Sequence, residues 1–169
     1  MFLTDTISSL VAVVYLATKA TAYTPVRDTL QPWEVSRLTT FSPSGRPGSS
    51  PWSIINITIS DPNAPVVTAT NCSTKWTFEE LPWNQVQPCT EVPHGNWSFE
   101  MVKSDSDYSS PTTDFVLRFT FATEHETFLG IADFVVGENM RGLCSASGVC
   151  SFGLKEELVP FLVNQTRVV

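Results

Sequence analysis

The two histidines of this 169-residue chain are its first candidates for acid–base or metal chemistry. His94 lies in a Pro/Gly turn, and His125 lies between Glu124 and Glu126 in a predicted hairpin turn. A histidine beside acids can bind a metal or act as a general base. We favour the simpler interpretation, a solvated acidic turn, and assign no catalytic residue and no metal ligand.

The chain contains none of the short motifs that mark common catalytic sites. Gly-x-Ser-x-Gly, His-Glu-x-x-His and phosphate-loop patterns do not occur. A glycosidase needs two carboxylates facing a cleft, and the 17 acidic residues contain no pair that the spacing singles out. We therefore expect a protein without a cofactor and without enzymatic activity.

Residues 1–22 have the features of a secretory signal peptide. The apolar run 10–17 forms its core, and Ala20-Thr21-Ala22 supplies the small-x-small pattern that signal peptidase requires. The run is shorter than the roughly 20 apolar residues that span a bilayer, and the C-terminus lacks the apolar tail of a lipid-anchored precursor. We predict a secreted, extracellular protein without a membrane anchor, whose mature chain starts near Tyr23.

Four cysteines, an even number, occur in a chain that we expect to be exported, where oxidised pairs are the default. Three connectivities are open. We favour Cys72–Cys89 and Cys144–Cys150, because each closes a short loop that the chain-entropy model credits with about 2–3 kcal/mol. A zinc site is the alternative, which the spacing disfavours because no Cys-x2-Cys pair occurs.

Four Asn-x-Ser/Thr triplets could accept N-linked glycans. They are Asn56-Ile-Thr58, Asn71-Cys-Ser73, Asn96-Trp-Ser98 and Asn164-Gln-Thr166. Asn56 and Asn96 fall on predicted strands, where positions i and i+2 share one face, here the polar one. A glycan at either position would therefore leave the core untouched. Asn71 adjoins a cysteine and Asn164 lies near the terminus, so both are less favoured.

The charge balance argues against nucleic acid as a partner. Ten basic and 17 acidic residues give a formal net charge of −7, and no Lys/Arg cluster offsets it. Such a chain repels phosphate backbones, and anionic membrane surfaces are disfavoured for the same reason.

Alternating apolar and polar residues predict strands along most of the chain. The clearest are 53–60 and 114–122; further strands are predicted at 33–41, 66–72, 96–102 and 128–136, and a hairpin at 143–152. Gly130 is expected to mark a bulge or a close backbone approach. Seven to nine short strands without a long helix predict an all-β fold, a compact antiparallel β-barrel or β-sandwich. We expect a flexible lead-in at 23–32 and one domain over 33–169.

Three tryptophans lie beside loops and prolines and are candidates for a partner surface. They are Trp52, Trp76 and Trp83. Aromatic side chains exposed in this way often contact ligands or partners, although burial in the core is the alternative.

One pattern of strands and cysteines covers most of the mature chain. It consists of Trp33-x-Val35, Ile55-x-Ile57-x-Ile59 running into Asp61-Pro62-Asn63, Cys72 with Trp76, Pro88-Cys89, Trp97-x-Phe99 and the late cysteine pair. This pattern resembles the Alt a 1-like small secreted proteins of ascomycete fungi, which include allergens and plant-defence elicitors. The resemblance implies a compact antiparallel β-fold with two local disulfides, Cys72–Cys89 and Cys144–Cys150. It implies interaction rather than reaction, because the family has no agreed catalytic site.

Three functional hypotheses follow. The first is a secreted, non-enzymatic fungal effector-, elicitor- or allergen-like protein that binds a host extracellular protein. The second is a secreted hydrolase, ribonuclease-like or polysaccharide-acting, that uses His94 or His125 with a nearby acid. The third is a carrier of small apolar ligands inside a β-barrel. The oligomeric state stays open.

Overall fold

The computed structural model describes residues 30–168, so the predicted signal peptide and most of the predicted lead-in lie outside the described residues. Within this range the regular secondary structure is almost entirely β-strand. The strands are β1 (Trp33–Ser42), β2 (Ser53–Ser60), β3 (Thr70–Trp76), β4 (Val86–Pro88), β5 (Asn96–Lys103), β6 (Asp114–Ala122), β7 (Thr127–Val135), β8 (Met140–Cys144), β9 (Cys150–Leu154), β10 (Phe161–Val163) and β11 (Gln165–Val168). A short 3-10 helix, Glu156–Leu158, precedes β10. Among the described residues, no helix is long and apolar enough to cross a membrane.

The strands form two antiparallel sheets. The larger sheet has the order β3-β2-β1-β9-β8, with β10 also pairing with β1. The smaller sheet has the order β11-β7-β6-β5-β4. The predicted all-β antiparallel fold is therefore confirmed. The sheets do not close on each other, so the fold is a sandwich, and the barrel alternative is wrong.

Strand β1 holds the larger sheet together because it pairs with three other strands. A register shift between Val35 and Arg37 marks a β-bulge in its pairing with β2. On the other side of β1, its first residues pair with β10 and its last residues pair with β9.

The core lies between the two sheets and follows the period-two pattern of the sequence. Ile55, Ile57 and Ile59 of β2 point inward from one sheet, while Phe115, Leu117 and Phe119 of β6 point inward from the other. Each of these side chains is at most 1% exposed, and such burial contributes about 1.5–3 kcal/mol per side chain. Trp33 and Trp97 meet edge to face across the sheets, with ring centroids 4.6 Å apart.

Both predicted disulfides are confirmed. Cys72 on β3 bonds to Cys89, which follows β4, so this disulfide joins the larger sheet to the smaller one. Cys144 bonds to Cys150 across the β8–β9 hairpin. At the opposite side of the sandwich the chain itself crosses between the sheets at Asn164, the single residue between β10 and β11.

One strand lies several residues later than predicted. The Val/Thr-rich segment 66–72 was expected to be a strand, but β3 covers Thr70–Trp76, and Val66 and Val67 are 62% and 58% exposed. The turn after β2 is longer than expected for two reasons. The Asp61 carboxylate accepts a hydrogen bond from the Asn63 N–H (2.8 Å), and the segment contains Pro62 and Pro65, which have no N–H for strand pairing. Turn chemistry therefore overrides the strand preference of Val66 and Val67.

Candidate functional site

Both histidines line one cleft at the end of the smaller sheet. His94 belongs to the turn that leads into β5, and His125 belongs to the turn between β6 and β7. These turns are neighbours because Asn96 pairs with Ala122. The cleft measures about 550 Å³ and is open to solvent.

The floor of the cleft depends on a glycine. A Cβ atom on Gly95 would lie 2.4 Å from Phe121 Cε2 and 2.9 Å from the Ala122 carbonyl oxygen. His94, directly before it, has φ +70°, the left-handed region. The backbone of this turn therefore lies directly on the aromatic core, and the His94 side chain is exposed at the rim.

The opposite wall of the cleft is a turn held by one threonine. Thr123 Oγ1 accepts hydrogen bonds from the backbone N–H groups of His125 (3.3 Å) and Glu126 (3.0 Å). The Thr123 N–H donates to the Glu126 carbonyl oxygen (2.8 Å). The turn thus has a defined backbone, while the side chains of Glu124 and His125 are exposed.

The cleft holds polar groups without an assembled acid–base pair. The ion pairs of residues 30–168 are made by Arg118, Arg141 and Arg167, so no imidazole nitrogen in this range lies within 4.0 Å of a carboxylate oxygen. Glu126, the acid after His125, pairs with Arg167. In the same range, no three His, Cys, Asp or Glu side chains come together as a metal site. The arrangement can donate and accept hydrogen bonds, which suits binding.

A second polar surface lies on the outer face of the larger sheet, and it carries two of the four sequons. Asn56 is opposite Ser73, and Thr58 is opposite Asn71, in the β2–β3 register. The Thr58 hydroxyl donates to Asn71 Oδ1 (2.9 Å). Two grooves run over this face, of about 290 Å³ and 390 Å³, and Asn56 lines both. We call this surface the sequon face.

The other two sequon asparagines are also exposed. Asn96 starts β5 at the rim of the histidine cleft. Asn164 lies in the crossover between the sheets, between the buried residues Val163 and Gln165. All four asparagines are thus accessible to solvent, and their glycosylation stays a prediction.

The three tryptophans do not form one partner surface. Trp76 is only 4% exposed and belongs to the core, so its assignment to a partner surface is wrong. It ends β3 on the inward face that Thr70 and Cys72 also occupy. Trp83 is half-buried against the core, and Trp52 is 38% exposed.

Sequence reasoning missed the charged residues of the sequon face. Arg37 lines the smaller groove, and Lys75 lines the larger one, with its Nζ 4.6 Å from the centroid of the Trp52 ring. A signal was present, because Trp52, Ile54 and Asn56 alternate with inward residues and must share a face. Which basic residues join them depends on strand pairing.

Comparisons with protein-family models, with curated proteins and with solved structures find no match. The two disulfides fit an extracellular protein. Membership of the Alt a 1-like family stays a prediction from the sequence pattern.

Proposed function

We propose that this chain is a secreted, non-enzymatic protein that acts by binding a host extracellular protein, in the manner of a fungal effector, elicitor or allergen. The histidine cleft is the observation that carries the proposal. It lies on two turns anchored by paired strands, a common arrangement for recognition loops. Its polar side chains are exposed, and its two imidazoles have no acid partner within 4.0 Å in residues 30–168.

The cleft suits a polar segment of another protein. The imidazoles of His94 and His125 offer both donors and acceptors. Val92 and Ala122 add a small apolar surface between them. The polar groups can fix the orientation of a partner while the apolar surface adds contact area.

A binding screen against host extracellular proteins tests this proposal. The partner should be captured by the wild-type protein, and the double variant His94→Ala/His125→Ala should bind it at least about tenfold more weakly, a loss of about 1.4 kcal/mol. Tyr108→Ala is the matched control. Tyr108 is 87% exposed in the loop between β5 and β6, at the end of β5 remote from the cleft.

Two outcomes would contradict binding through the cleft. One is the absence of any partner at micromolar protein concentration. The other is a loss of affinity for Tyr108→Ala that equals the loss for the histidine variant, since this would point to another surface.

The hydrolase remains the second candidate, because the same cleft brings His94, His125 and Glu124 together. A general base and a general acid in one cleft is the arrangement that such an enzyme needs. The measurement is hydrolysis of RNA and of cell-wall polysaccharides by the purified protein. Activity that disappears in the double histidine variant would favour the hydrolase over the binding protein.

The carrier hypothesis is not proposed further. It required a lumen inside a closed barrel, but the two sheets stay open. The space between them is filled by buried side chains, among them Trp33, Phe99 and Phe119, each at most 1% exposed.

A further inference from the structure

We propose that a glycan on Asn56 lies in the larger groove of the sequon face, over Ile54 and beside Lys75, and thereby stabilises the fold. This goes beyond a sequon match, because it assigns the glycan a defined binding position on the protein surface. It is independent of the histidine cleft and of any partner.

The register of β2 and β3 places the attachment point at the groove. Asn56 is exposed, lies opposite Ser73, and lines both grooves of the sequon face. The amide therefore projects from the surface where the two grooves meet. A sugar attached to the Asn56 amide nitrogen is therefore adjacent to the groove and can contact it directly.

Both grooves contain exposed polar side chains: Ser73 lines both, Arg37 lines the smaller one and Lys75 lines the larger one. In the smaller groove the hydroxyl of Thr58 and the side-chain oxygen of Asn71 are already paired with each other (2.9 Å). In the larger groove the side chains of Lys75 and Ser73 are exposed, and the Lys75 ammonium lies over the Trp52 ring. A sugar can therefore bond to Lys75 and Ser73 without breaking an existing side-chain hydrogen bond, and the preference for the larger groove comes from its apolar surface.

The larger groove also offers an apolar wall. Ile54 lies two residues before Asn56 on the same face of β2 and is half-buried. It lies opposite Lys75 of β3 in the strand register. A hexosamine ring has an apolar C–H face and a polar rim. Its C–H face can cover Ile54 while its hydroxyls reach Lys75 and Ser73, so both kinds of surface are satisfied.

The attachment itself follows the ordinary chemistry of N-glycosylation and uses a lipid-diphosphate-linked oligosaccharide as donor. The Asn56 amide nitrogen loses a proton and bonds to the anomeric carbon of an N-acetylhexosamine. The bond between that carbon and the diphosphate oxygen breaks, and the lipid diphosphate leaves. The transfer requires the hydroxyl of Thr58, which completes the triplet.

The experiment uses the full chain, secreted from a eukaryotic host, and compares its melting temperature with and without the glycan. Mass spectrometry of the peptide that contains Asn56 should show the modification. Enzymatic removal of the glycan should lower the Tm by about 3 °C, a shift of the size expected for the loss of one set of surface contacts in a domain of this length. The measurement is made in the background Asn71→Gln/Asn96→Gln/Asn164→Gln, which removes the other three sequons, so the effect is assigned to Asn56 alone.

A double-mutant-type cycle, which combines glycan removal with substitutions in the groove, tests whether the glycan contacts the larger groove. In Lys75→Ser and in Ile54→Thr, glycan removal should change the Tm by less than about 1 °C, because the contacts are already lost. Arg37→Ser is the matched control, since Arg37 lines the smaller groove only; there the loss should stay near 3 °C. Lys75 is exposed, so its variant serves if Ile54→Thr does not fold.

Three results would overturn the proposal. The first is that Asn56 is unmodified in the secreted protein, or that no protein is secreted. The second is a Tm that does not change when the glycan is removed. The third is a decrease in Tm on glycan removal that is equal in all variants. A loss that disappears only in Arg37→Ser would place the glycan in the smaller groove, against the proposal.

Discussion

His94 and His125, far apart in the sequence, line the same cleft because Asn96 pairs with Ala122 across β5 and β6. The pairing brings the turn before β5 beside the turn after β6. Both imidazoles are exposed there, so they can contact a partner without contributing to the core.

Replacing both histidines should therefore separate binding from stability. We expect His94→Ala/His125→Ala to lower the free energy of unfolding by no more than about 1 kcal/mol, because both side chains are exposed and the only added cost is that of Ala at the left-handed position 94. Urea unfolding measures this directly. A loss of several kcal/mol would mean that the turns need the imidazoles for folding, and the binding test would then need single substitutions.

Gly130→Ala should destabilise the sandwich. A Cβ atom at this position would lie 2.7 Å from Trp33 Cζ3 and 3.0 Å from Val163 Cγ1, both buried in the core. Gly130 marks no bulge, because its register with Phe119 is regular; core side chains lie against it, and overpacking of this kind costs about 1–3 kcal/mol. The change is read from urea unfolding.

The control for Gly130 is Gly153→Ala. The nearest atom to a Cβ there is the Leu38 carbonyl oxygen at 3.2 Å. Its loss of stability should be clearly smaller, and equal losses at the two glycines would contradict the packing explanation.

The two disulfides should contribute unequally to stability. Cys72–Cys89 closes a sequence separation of 17 residues and joins the two sheets, whereas Cys144–Cys150 closes a separation of 6 within one hairpin. The chain-entropy model assigns about 3 kcal/mol to the first and about 2 kcal/mol to the second. Double Cys→Ala variants, unfolded in urea, test the order. A hairpin variant that loses more than the inter-sheet variant would contradict this prediction.

The hydroxyl at position 58 should control glycosylation of Asn56. Thr58→Val removes the hydroxyl that completes the triplet and that donates to Asn71 Oδ1, so Asn56 should be unmodified in the secreted protein. Thr58→Ser keeps a hydroxyl and should retain the glycan. Peptide mass spectrometry distinguishes the two, and a glycan on Asn56 in Thr58→Val would contradict the expectation.

Processing after Ala22 should define the mature chain. Edman sequencing of the secreted protein should begin at Tyr23, and Ala22→Arg should block this cleavage because the peptidase pocket admits only small side chains. A secreted protein that still begins at Met1 would argue against a cleaved signal peptide.

Local periodicity was enough to predict much of the fold. The bounds of β2 and β6 agree with the prediction, because alternation of apolar and polar residues is a property of neighbours two positions apart. In the predicted strand 96–102, Trp97 and Phe99 share one face by the same alternation, and the structure shows both buried in the core. It did not position β3, where the turn chemistry at Asp61 prevailed over the strand preference of Val66 and Val67.

The histidine cleft and the sequon face depend on contacts between distant segments, which a local sequence pattern does not predict. The sequence alone determined the period-two faces, the sequon triplets and the short cysteine loops, since each depends on residues close together in the chain. Only the tertiary structure decided that His94 meets His125 in one cleft, that the Asn56 and Asn71 sequons share one face, and that Trp76 points inward. The physical reason is that strand register and the packing of the two sheets bring together residues from distant segments of the chain. The free energy of each pairing depends on the neighbouring strands as well, so no single segment determines it.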